Sequence, residues 1–135
     1  MSFSSLLKTF SHKCMRNGNK SLSDRLVKKV LFNIRLQGLS PSKVLTLAVL
    51  NTSPVVSVKN VRSRGKTFKV PFPLSPKQQL SKSFDILLKN TDLSSESLTR
   101  ILLEASNNRG KGVKDKRMIH QLARDNRTFS NYRWF

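Results

Sequence analysis

Charge is the feature that most constrains this chain, because acidic residues are almost absent from its central part. It has 26 Lys and Arg against 7 Asp and Glu, which gives a formal net charge of +19 over 135 residues. No acidic residue lies between Asp24 and Asp85. Folding at this length hides roughly two-thirds of the unfolded surface, so a real core is possible. Such a chain repels itself unless an anionic partner shares its surface, and the candidates are nucleic acid, an anionic membrane or an acidic protein.

Apolar residues recur at helical spacing over most of the chain, which predicts a mainly α fold. After a turn at residues 17–21, one helix runs to Gly38. Two more helices are predicted to begin at Ser40-Pro41 and Ser75-Pro76, because a residue before proline is held in the extended conformation that an N-cap adopts. The length and this pattern predict a mainly α chain that forms a single domain over residues 1–135.

Two further helices are predicted in the last third of the chain. One begins near residues 92–95, where Asp92, Ser94 or Ser95 is the candidate cap, and ends at "NNRGKG". Gly110 and Gly112 in that segment permit left-handed turns. The last helix is predicted over residues 113–130.

The first sixteen residues, "MSFSSLLKTFSHKCMR", leave two interpretations open. They are rich in Ser, basic and free of acid, which is typical of an organellar transit peptide. They also place Leu6, Leu7 and Phe10 on one face of a helix, which is typical of a folded first helix. Composition alone does not separate these alternatives.

Between Pro54 and Pro73 the period of the pattern changes from helix to strand. β-Branched valines come first, and then Phe68, Val70 and Phe72 alternate with other residues, with a reversal at Gly65. This predicts one protruding β-hairpin at roughly residues 55–72, within an arm that spans residues 54–73. A lone hairpin is marginal in water, so its base must pack on the helices while its tip is free to reach a partner.

Catalytic and metal chemistry find little support in the sequence. One cysteine, Cys14, excludes an intrachain disulfide, and with His12 and His120 it makes too small a set for zinc. His120 has only Asp125 nearby and no nucleophile motif, so a structural or RNA-contacting role is the better interpretation. "RGKG" at 109–112 lacks the spacing of a phosphate-binding Walker motif. We therefore predict no catalytic residue, no metal site and no cofactor.

Basic residues form three acid-poor groups, which flank the first turn, cover the hairpin and run through the last third of the chain. A single charged side chain most often belongs to a solvated face, but three groups without carboxylates indicate a polyanionic partner. The candidate RNA-binding residues are Lys13, Arg16, Lys20, Lys59, Arg62, Arg64, Lys66, Lys69, Arg109, Lys111, Lys114, Lys116, Arg117, Arg127, Arg133 and Trp134.

The ending "FSNYRWF" is rich in aromatic residues and has two interpretations. Its rings can stack on unpaired bases beside Arg133, or they can pack the last helix onto the core. For Phe129 and Tyr132 the two alternatives are equally supported.

Three segments resemble a known family in order and spacing. They are "MRNGNKSLSDRLV" (15–27), "SPVVSVKNVRSRGKTFKVPFPLSP" (53–76) and "LLEASNNRGKGVKDKRMIHQLARDNRTFSNYRW" (102–134). They are similar to the "DGKKS"-like turn, the glycine-tipped hairpin, the "N-x-x-G-x-x-V-K" loop and the "H-x-x-A-x-x-N-x-x-F-x-x-Y/F-R-W" ending of the universal small-subunit ribosomal protein uS-seven family.

The resemblance implies a bundle of about six helices with one protruding β-hairpin. It also implies a non-enzymatic structural constituent of the small ribosomal subunit. It implies binding to the 3′ major domain of small-subunit rRNA, a role in assembling the head, and a hairpin near the mRNA exit and the E-site tRNA. Neighbouring ribosomal proteins of the head and platform are the implied protein partners, with no membrane partner and no homo-oligomer. The matching residues are Lys20, Lys59, Arg62, Gly65, Lys69, Gly110, Val113, Lys114, His120, Asn126, Phe129, Tyr132, Arg133 and Trp134.

Several departures from the family pattern bear on how residues 1–16 fold and on the compartment in which the protein works. The chain starts almost at the first helix, without the family's arginine-rich arm, which favours the folded-helix interpretation of residues 1–16. Arg64 replaces the first tip glycine, and Arg117, Met118 and Arg124 replace acidic positions. Together with many Lys, Asn, Ser and Phe residues, these changes favour a mitochondrial ribosome, with a chloroplast or a bacterial cytoplasm as alternatives.

Two other classes of function remain as alternatives. One is a free module that grips DNA or mRNA with its basic hairpin. The other is a membrane-surface protein whose amphipathic first helix meets anionic lipid.

Overall fold

The computed structural model describes residues 3–63, 65–89 and 91–134, with the backbone alone at position 134. The predicted mainly α fold with one hairpin is confirmed. Along the described chain the elements are α1 (Phe3–Cys14), α2 (Lys20–Leu36), α3 (Pro41–Thr52), β1 (Val56–Ser63), β2 (Lys66–Pro73), α4 (Pro76–Leu88), α5 (Ser95–Ser106), α6 (Lys111–Asp125) and a 3₁₀ helix (Arg127–Trp134).

Three predicted helix starts are confirmed by the backbone at the serine caps. Ser40 and Ser75 are extended, and each is followed by proline at the first helical position. Gln78 supports the start of α4, because its side-chain oxygen accepts a hydrogen bond from the Ser75 N–H at 3.1 Å. At α5 the cap is Ser94, whose hydroxyl accepts a hydrogen bond from the Ser97 N–H at 3.2 Å.

Helices α1 to α5 enclose the hydrophobic core. At its centre the rings of Phe10 on α1 and Phe84 on α4 stack with their centroids 5.5 Å apart. The buried members of the core are Leu6, Phe10, Cys14, Val27, Val30, Ile34, Val44, Leu45, Ala48, Val49, Phe84, Leu87, Leu98, Leu102 and Ala105.

Helix α1 contributes its apolar face to this core, so residues 3–14 agree with the folded-helix interpretation. Leu6 and Phe10 are buried, and Leu7 is partly buried against the same cluster. The membrane-surface hypothesis needs that face to be exposed to lipid, and the structure overturns this premise. No helix in the described ranges has the length and apolar character required to cross a bilayer.

Polar side chains in the interior close the ends of helices. Asn51 on α3 donates its amide N–H groups to the carbonyls of Ala105 and Ser106, at 2.9 and 3.0 Å, and so caps the end of α5. Thr52 and Ser83 share a hydrogen bond of 3.0 Å between α3 and α4. Burial raises the pKa of the Cys14 thiol to about 11, so this cysteine stays protonated and unreactive at neutral pH.

The hairpin is antiparallel and pairs Val56 with Pro73 at its base and Ser63 with Lys66 at its tip. This register closes the hairpin with a two-residue connection that contains Gly65, whose φ is +77°. The buried positions lie near the base, at Val70 and Pro71. The hairpin therefore leaves the bundle as an arm, as the alternation of Phe68, Val70 and Phe72 predicts.

Two expectations about the last third of the chain are wrong. The final α-helix ends at Asp125 and not at residue 130. Just after this end, the side-chain amide of Asn126 donates to the carbonyl of Leu122 at 2.8 Å, and the chain continues as the 3₁₀ helix. Gly110 has a left-handed φ of +88°, but Gly112 lies inside α6. Gly112 is buried, and a Cβ there would lie 3.2 Å from Cγ2 of Thr52. Close packing explains this glycine.

Candidate nucleic-acid interface

An aromatic cluster joins the arm to the end of the chain. Phe68 on β2 stacks on Tyr132 with centroids 4.7 Å apart and an interplanar angle of 11°, and its ring lies 5.3 Å from that of Phe129. Of the two alternatives for Phe129 and Tyr132, the structure supports packing, although against the arm and not against the bundle core. Such pairs add about 0.5–1.5 kcal/mol each beyond their buried area.

Two hydrogen bonds fix the base of the arm between α6 and the 3₁₀ helix. The Val55 N–H donates to Nε2 of His120 at 3.2 Å, and Nε of Arg133 donates to the carbonyl of Pro71 at 2.7 Å. Because Nε2 is an acceptor here, the proton of the neutral imidazole lies on Nδ1. His120 is therefore structural, which is one of the two roles that we predict for it.

The charges around His120 oppose its protonation. Burial lowers its pKa below the usual value, and the positive charges of Lys116 and Arg124 lower it further. Neutral His120 accepts the Val55 N–H, whereas the imidazolium has no lone pair at Nε2. The positive charge of the surface around His120 therefore comes from Lys116 and Arg124, and not from the histidine itself.

The register of the arm separates its positive charges. Each basic residue within the two described strands lies opposite a residue without charge: Lys59 pairs with Val70, Arg62 with Thr67, Lys66 with Ser63 and Lys69 with Asn60. Like charges directly opposite each other destabilise a strand pair, so this register lowers the cost of a basic arm. Lys59 also lies 5.2 Å from the centroid of the Phe72 ring, a cation–π contact.

Side chains alternate between the two faces of a strand pair, which distributes these charges over both faces of the arm. Arg62 and Lys69 lie on one face, and Lys59 and Lys66 lie on the other. The arm thus offers cations to a partner on either side.

Helix α6 carries a basic stripe, which we define as Lys111, Lys114, Arg117 and Arg124. Their spacing places them on one side of the helix, and all four are exposed. The stripe extends from the α5–α6 loop towards the base of the arm. There it reaches a shallow recess, which we call the arginine recess, of about 500 Å³, lined by Val56, Pro71, His120, Ala123, Arg124, Arg127 and Arg133.

The start of α6 differs from a phosphate-binding loop in one respect. Glu104 on α5 packs against Gly110, and a Cβ added to that glycine would lie 2.7 Å from Oε2 of Glu104. A carboxylate therefore already lies beside the first turn of α6, where an anion would otherwise bind. The weak phosphate-binding signal of "RGKG" is not supported at the loop backbone, whereas Arg109 and Lys111 remain exposed.

Two of the candidate RNA-binding residues form contacts with other parts of the protein itself. Lys13 forms an ion pair with Asp85 at 2.7 Å, which links α1 to α4. Lys116 donates to the carbonyl of Asn51 at 3.1 Å, at the end of α3, and burial lowers its pKa. A positive charge at the C-terminal end of a helix is favourable, so Lys116 has a structural role that its sequence position does not reveal.

The other described candidates are exposed. They are Arg16, Lys20, Lys59, Arg62, Lys66, Lys69, Arg109, Lys111, Lys114, Arg117, Arg127 and Arg133. Arg64 and the side chain of Trp134 lie outside the described residues. Among described residues there is no group of three or more His, Cys, Asp or Glu side chains placed to hold a metal ion.

Two residues of this surface were missing from the predicted site. Arg124 lines the arginine recess, and Phe68 stacks with the aromatic ending. The spacing of Arg124 from Arg117, two helical turns, was a usable signal for the stripe. No signal in the sequence links Phe68 to Tyr132, which lie far apart along the chain.

Comparison with known proteins gives a consistent result. The family model described as "Ribosomal protein S7p/S5e" matches residues 2–127. The "Small ribosomal subunit protein uS7" of Thermomicrobium roseum is 33% identical over 97% of this chain and 88% of its own length. That of Caldicellulosiruptor saccharolyticus is 33% identical over 91% of this chain and 83% of its own length. A "Small ribosomal subunit protein uS7m" of Reclinomonas americana is 30% identical over 96% and 85%.

The family match covers the arm and the whole of α6, and it ends at Arg127, the first residue of the 3₁₀ helix. The resemblance to this family is therefore confirmed over residues 2–127, and the matches to these three relatives cover 91–97% of the chain. On these grounds the chain belongs to the ribosomal protein S7 family.

Proposed function

We propose that this protein is a structural, non-catalytic component of a small ribosomal subunit and that it binds the 3′ major domain of the rRNA. The observation that carries the proposal is the combination of family membership with a basic stripe that leads to a basic arm. The relatives are named as small ribosomal subunit proteins. Lys and Arg on such surfaces bind phosphates and recognise position and shape more than sequence.

In the subunit, the arm lies near the mRNA exit and the E-site tRNA, and neighbouring proteins of the head and platform contact the bundle. The arm supports this arrangement because it leaves the bundle and carries charge on both faces. The compartment that we propose is the mitochondrial ribosome. A mitochondrial-type relative and the low number of acidic residues support this assignment.

Ultraviolet crosslinking of the protein in its own cells, followed by sequencing of the attached RNA, tests the proposal. We expect reads concentrated on the 3′ major domain of small-subunit rRNA, with the protein co-sedimenting with small subunits. Reads spread over many mRNAs without an rRNA peak would overturn the proposal and support a free nucleic-acid-binding module.

Charge variants test which surfaces contact the rRNA. The double variants Arg62→Gln/Lys69→Gln, on the arm, and Lys114→Gln/Arg117→Gln, on the stripe, are compared with Lys43→Gln/Lys82→Gln, an exposed pair outside the three basic groups. Each lost phosphate contact reduces the slope of log affinity against log salt by about 1. We expect slopes reduced by about 2 for the arm and stripe variants and an unchanged slope for the control.

A further inference from the structure

The arginine recess has a composition that suits one class of ligand. Three of its lining residues are arginines, from α6 and the 3₁₀ helix, and Val56, Pro71 and Ala123 supply apolar surface. Among the residues that line it, all within the described ranges, none is acidic. A concave surface with convergent cations and a small apolar floor is suited to a ligand that is anionic at one end and flat and apolar at the other.

The arginines reach the recess from positions that the fold holds fixed. Arg133 is anchored by its 2.7 Å hydrogen bond to the Pro71 carbonyl, which uses one of the five N–H donors of a guanidinium. Arg124 lies one turn after His120, whose ring is bound to the backbone of Val55. The 3₁₀ helix that carries Arg127 is attached to the arm through Tyr132 and Phe68. The recess is therefore organised before a ligand arrives.

Guanidinium groups bind phosphate through paired N–H donors, and their planes also stack on aromatic rings. A base inside an RNA duplex cannot enter a protein recess, whereas an unpaired nucleotide presents its base and its phosphate together. We propose that the arginine recess binds one unpaired nucleotide of the rRNA, with its phosphate on Arg124, Arg127 and Arg133 and its base against Val56, Pro71 and Ala123. This proposal rests on the proposed function, because it names the RNA element that the site recognises.

A titration of the full-length protein with short RNAs, followed by NMR at the Ala123 methyl and the His120 ring, tests the recess directly. The probes are an unpaired five-nucleotide RNA, the same RNA with an abasic central position, and a short RNA duplex. We expect the unpaired RNA to shift the Ala123 methyl and to raise the pKa of His120, because a phosphate beside the ring offsets the charges of Lys116 and Arg124. The abasic RNA and the duplex are expected to leave the Ala123 methyl nearly unshifted.

The double variant Arg124→Gln/Arg127→Gln removes two of the three arginines and keeps Arg133, whose bond to Pro71 supports the arm. We expect it to bind the unpaired RNA about tenfold more weakly, while Lys43→Gln/Lys82→Gln changes the affinity less than about twofold. Circular dichroism of both variants checks that the fold is retained. The single variant Arg127→Gln, which changes a residue outside α6, is expected to lose affinity in the same direction.

The outcomes separate this proposal from the one it rests on. If the wild-type protein binds a 3′ major domain rRNA fragment, but the arginine variant binds the unpaired RNA as well as the control does, the recess proposal is overturned and the ribosomal function stands. If unpaired RNA shifts Ala123 but the rRNA fragment does not bind, the ribosomal function is overturned. If an acidic peptide displaces the unpaired RNA from the recess at lower concentration than competing RNA does, a protein partner replaces the nucleotide.

Discussion

The helical bundle and the arm are stabilised in different ways. In the bundle, fifteen buried residues from five helices form the core, and the stacked pair Phe10 and Phe84 lies among them. In the arm, burial is concentrated near the base, and the attachment depends on a few rings and on two hydrogen bonds, one to His120 on α6 and one from Arg133 on the 3₁₀ helix. The bundle can therefore tolerate change at its surface, whereas the arm depends on individual side chains. This difference fits the proposed function, in which the bundle is a scaffold and the arm completes its contacts on RNA.

The largest expected effect is on the bundle. Phe84→Ala removes a fully buried ring that stacks on Phe10, and we expect a loss of about 3–5 kcal/mol in the free energy of unfolding. Urea unfolding followed by circular dichroism measures it. Phe32→Ala, at a ring that is 61% exposed, is the matched control and should change stability by less than about 0.5 kcal/mol. Equal effects of the two variants would contradict the assignment of the core.

A smaller and local effect is expected in the arm. Phe68→Ala removes the ring that contacts Tyr132 and Phe129, and we expect a local loss of about 1–3 kcal/mol. Amide hydrogen exchange should accelerate along β1 and β2 and remain unchanged in α3. Thr67→Ala, at the neighbouring exposed position, is the control and should leave exchange in the arm nearly unchanged. Acceleration throughout the bundle would show that the two regions are not separable.

The hydrogen bond between Val55 and His120 makes the base of the arm sensitive to pH. The pKa of His120 is lower in the folded state than the unfolded value of about 6.5, so the unfolded chain binds the proton first as the pH falls. The stabilisation is present above about pH 6.5 and is lost as the pH falls through that value towards the folded pKa.

The free energy of unfolding, measured between about pH 7.5 and 5.5, tests this effect. Few carboxylates titrate in this range, so the change with pH reports mainly on histidine. His120 faces Lys116 and Arg124 on its own helix and Arg127 and Arg133 across the recess. We expect wild-type stability to fall with pH more steeply than that of His120→Gln, which has no proton to gain at this position. Identical slopes would show that the histidine does not titrate differently in the folded protein.

The smallest expected effect comes from repulsion within the arm. Diagonal neighbours such as Arg62 and Lys69 share a face, and salt screens them over a distance of about 10 Å at 0.1 M. Raising the salt concentration should slow amide exchange in the arm about twofold, since such pairs cost about 0.2–1 kcal/mol each. Exchange in α3, which packs one face in the core and carries a single charged residue, Lys43, serves as the internal reference. Faster exchange in the arm at high salt would contradict this explanation.

Local signals in the sequence were sufficient for the elements of the fold. The Ser-Pro pairs marked the starts of α3 and α4, and the switch to alternation marked the arm, because caps and strand periodicity depend on nearby residues. The end of α6 was misplaced, since helical spacing continues through residues that form the 3₁₀ helix. Gly112 was assigned to a turn because the packing of Thr52 against it is a tertiary contact.

The candidate interface was predicted as a set of charges but not as a geometry. Exposed lysines and arginines follow from composition, and their alternation on the arm follows from strand periodicity. The internal roles of Lys13 and Lys116 depend on Asp85 and on the carbonyl of Asn51, which are distant along the chain. The arginine recess likewise joins residues from both strands, α6 and the 3₁₀ helix, and only the folded chain brings them together.

The placement of Arg62 and Lys69 on one face of the arm, with Lys59 and Lys66 on the other, has a consequence for crowded surroundings. Two phosphate backbones repel each other strongly at short distance. A thin two-stranded ribbon with exposed cations on both faces is suited to lie between two such backbones and to neutralise each of them. Under the proposed function, the arm would act as a wedge that allows separate RNA segments to approach more closely than they would without it.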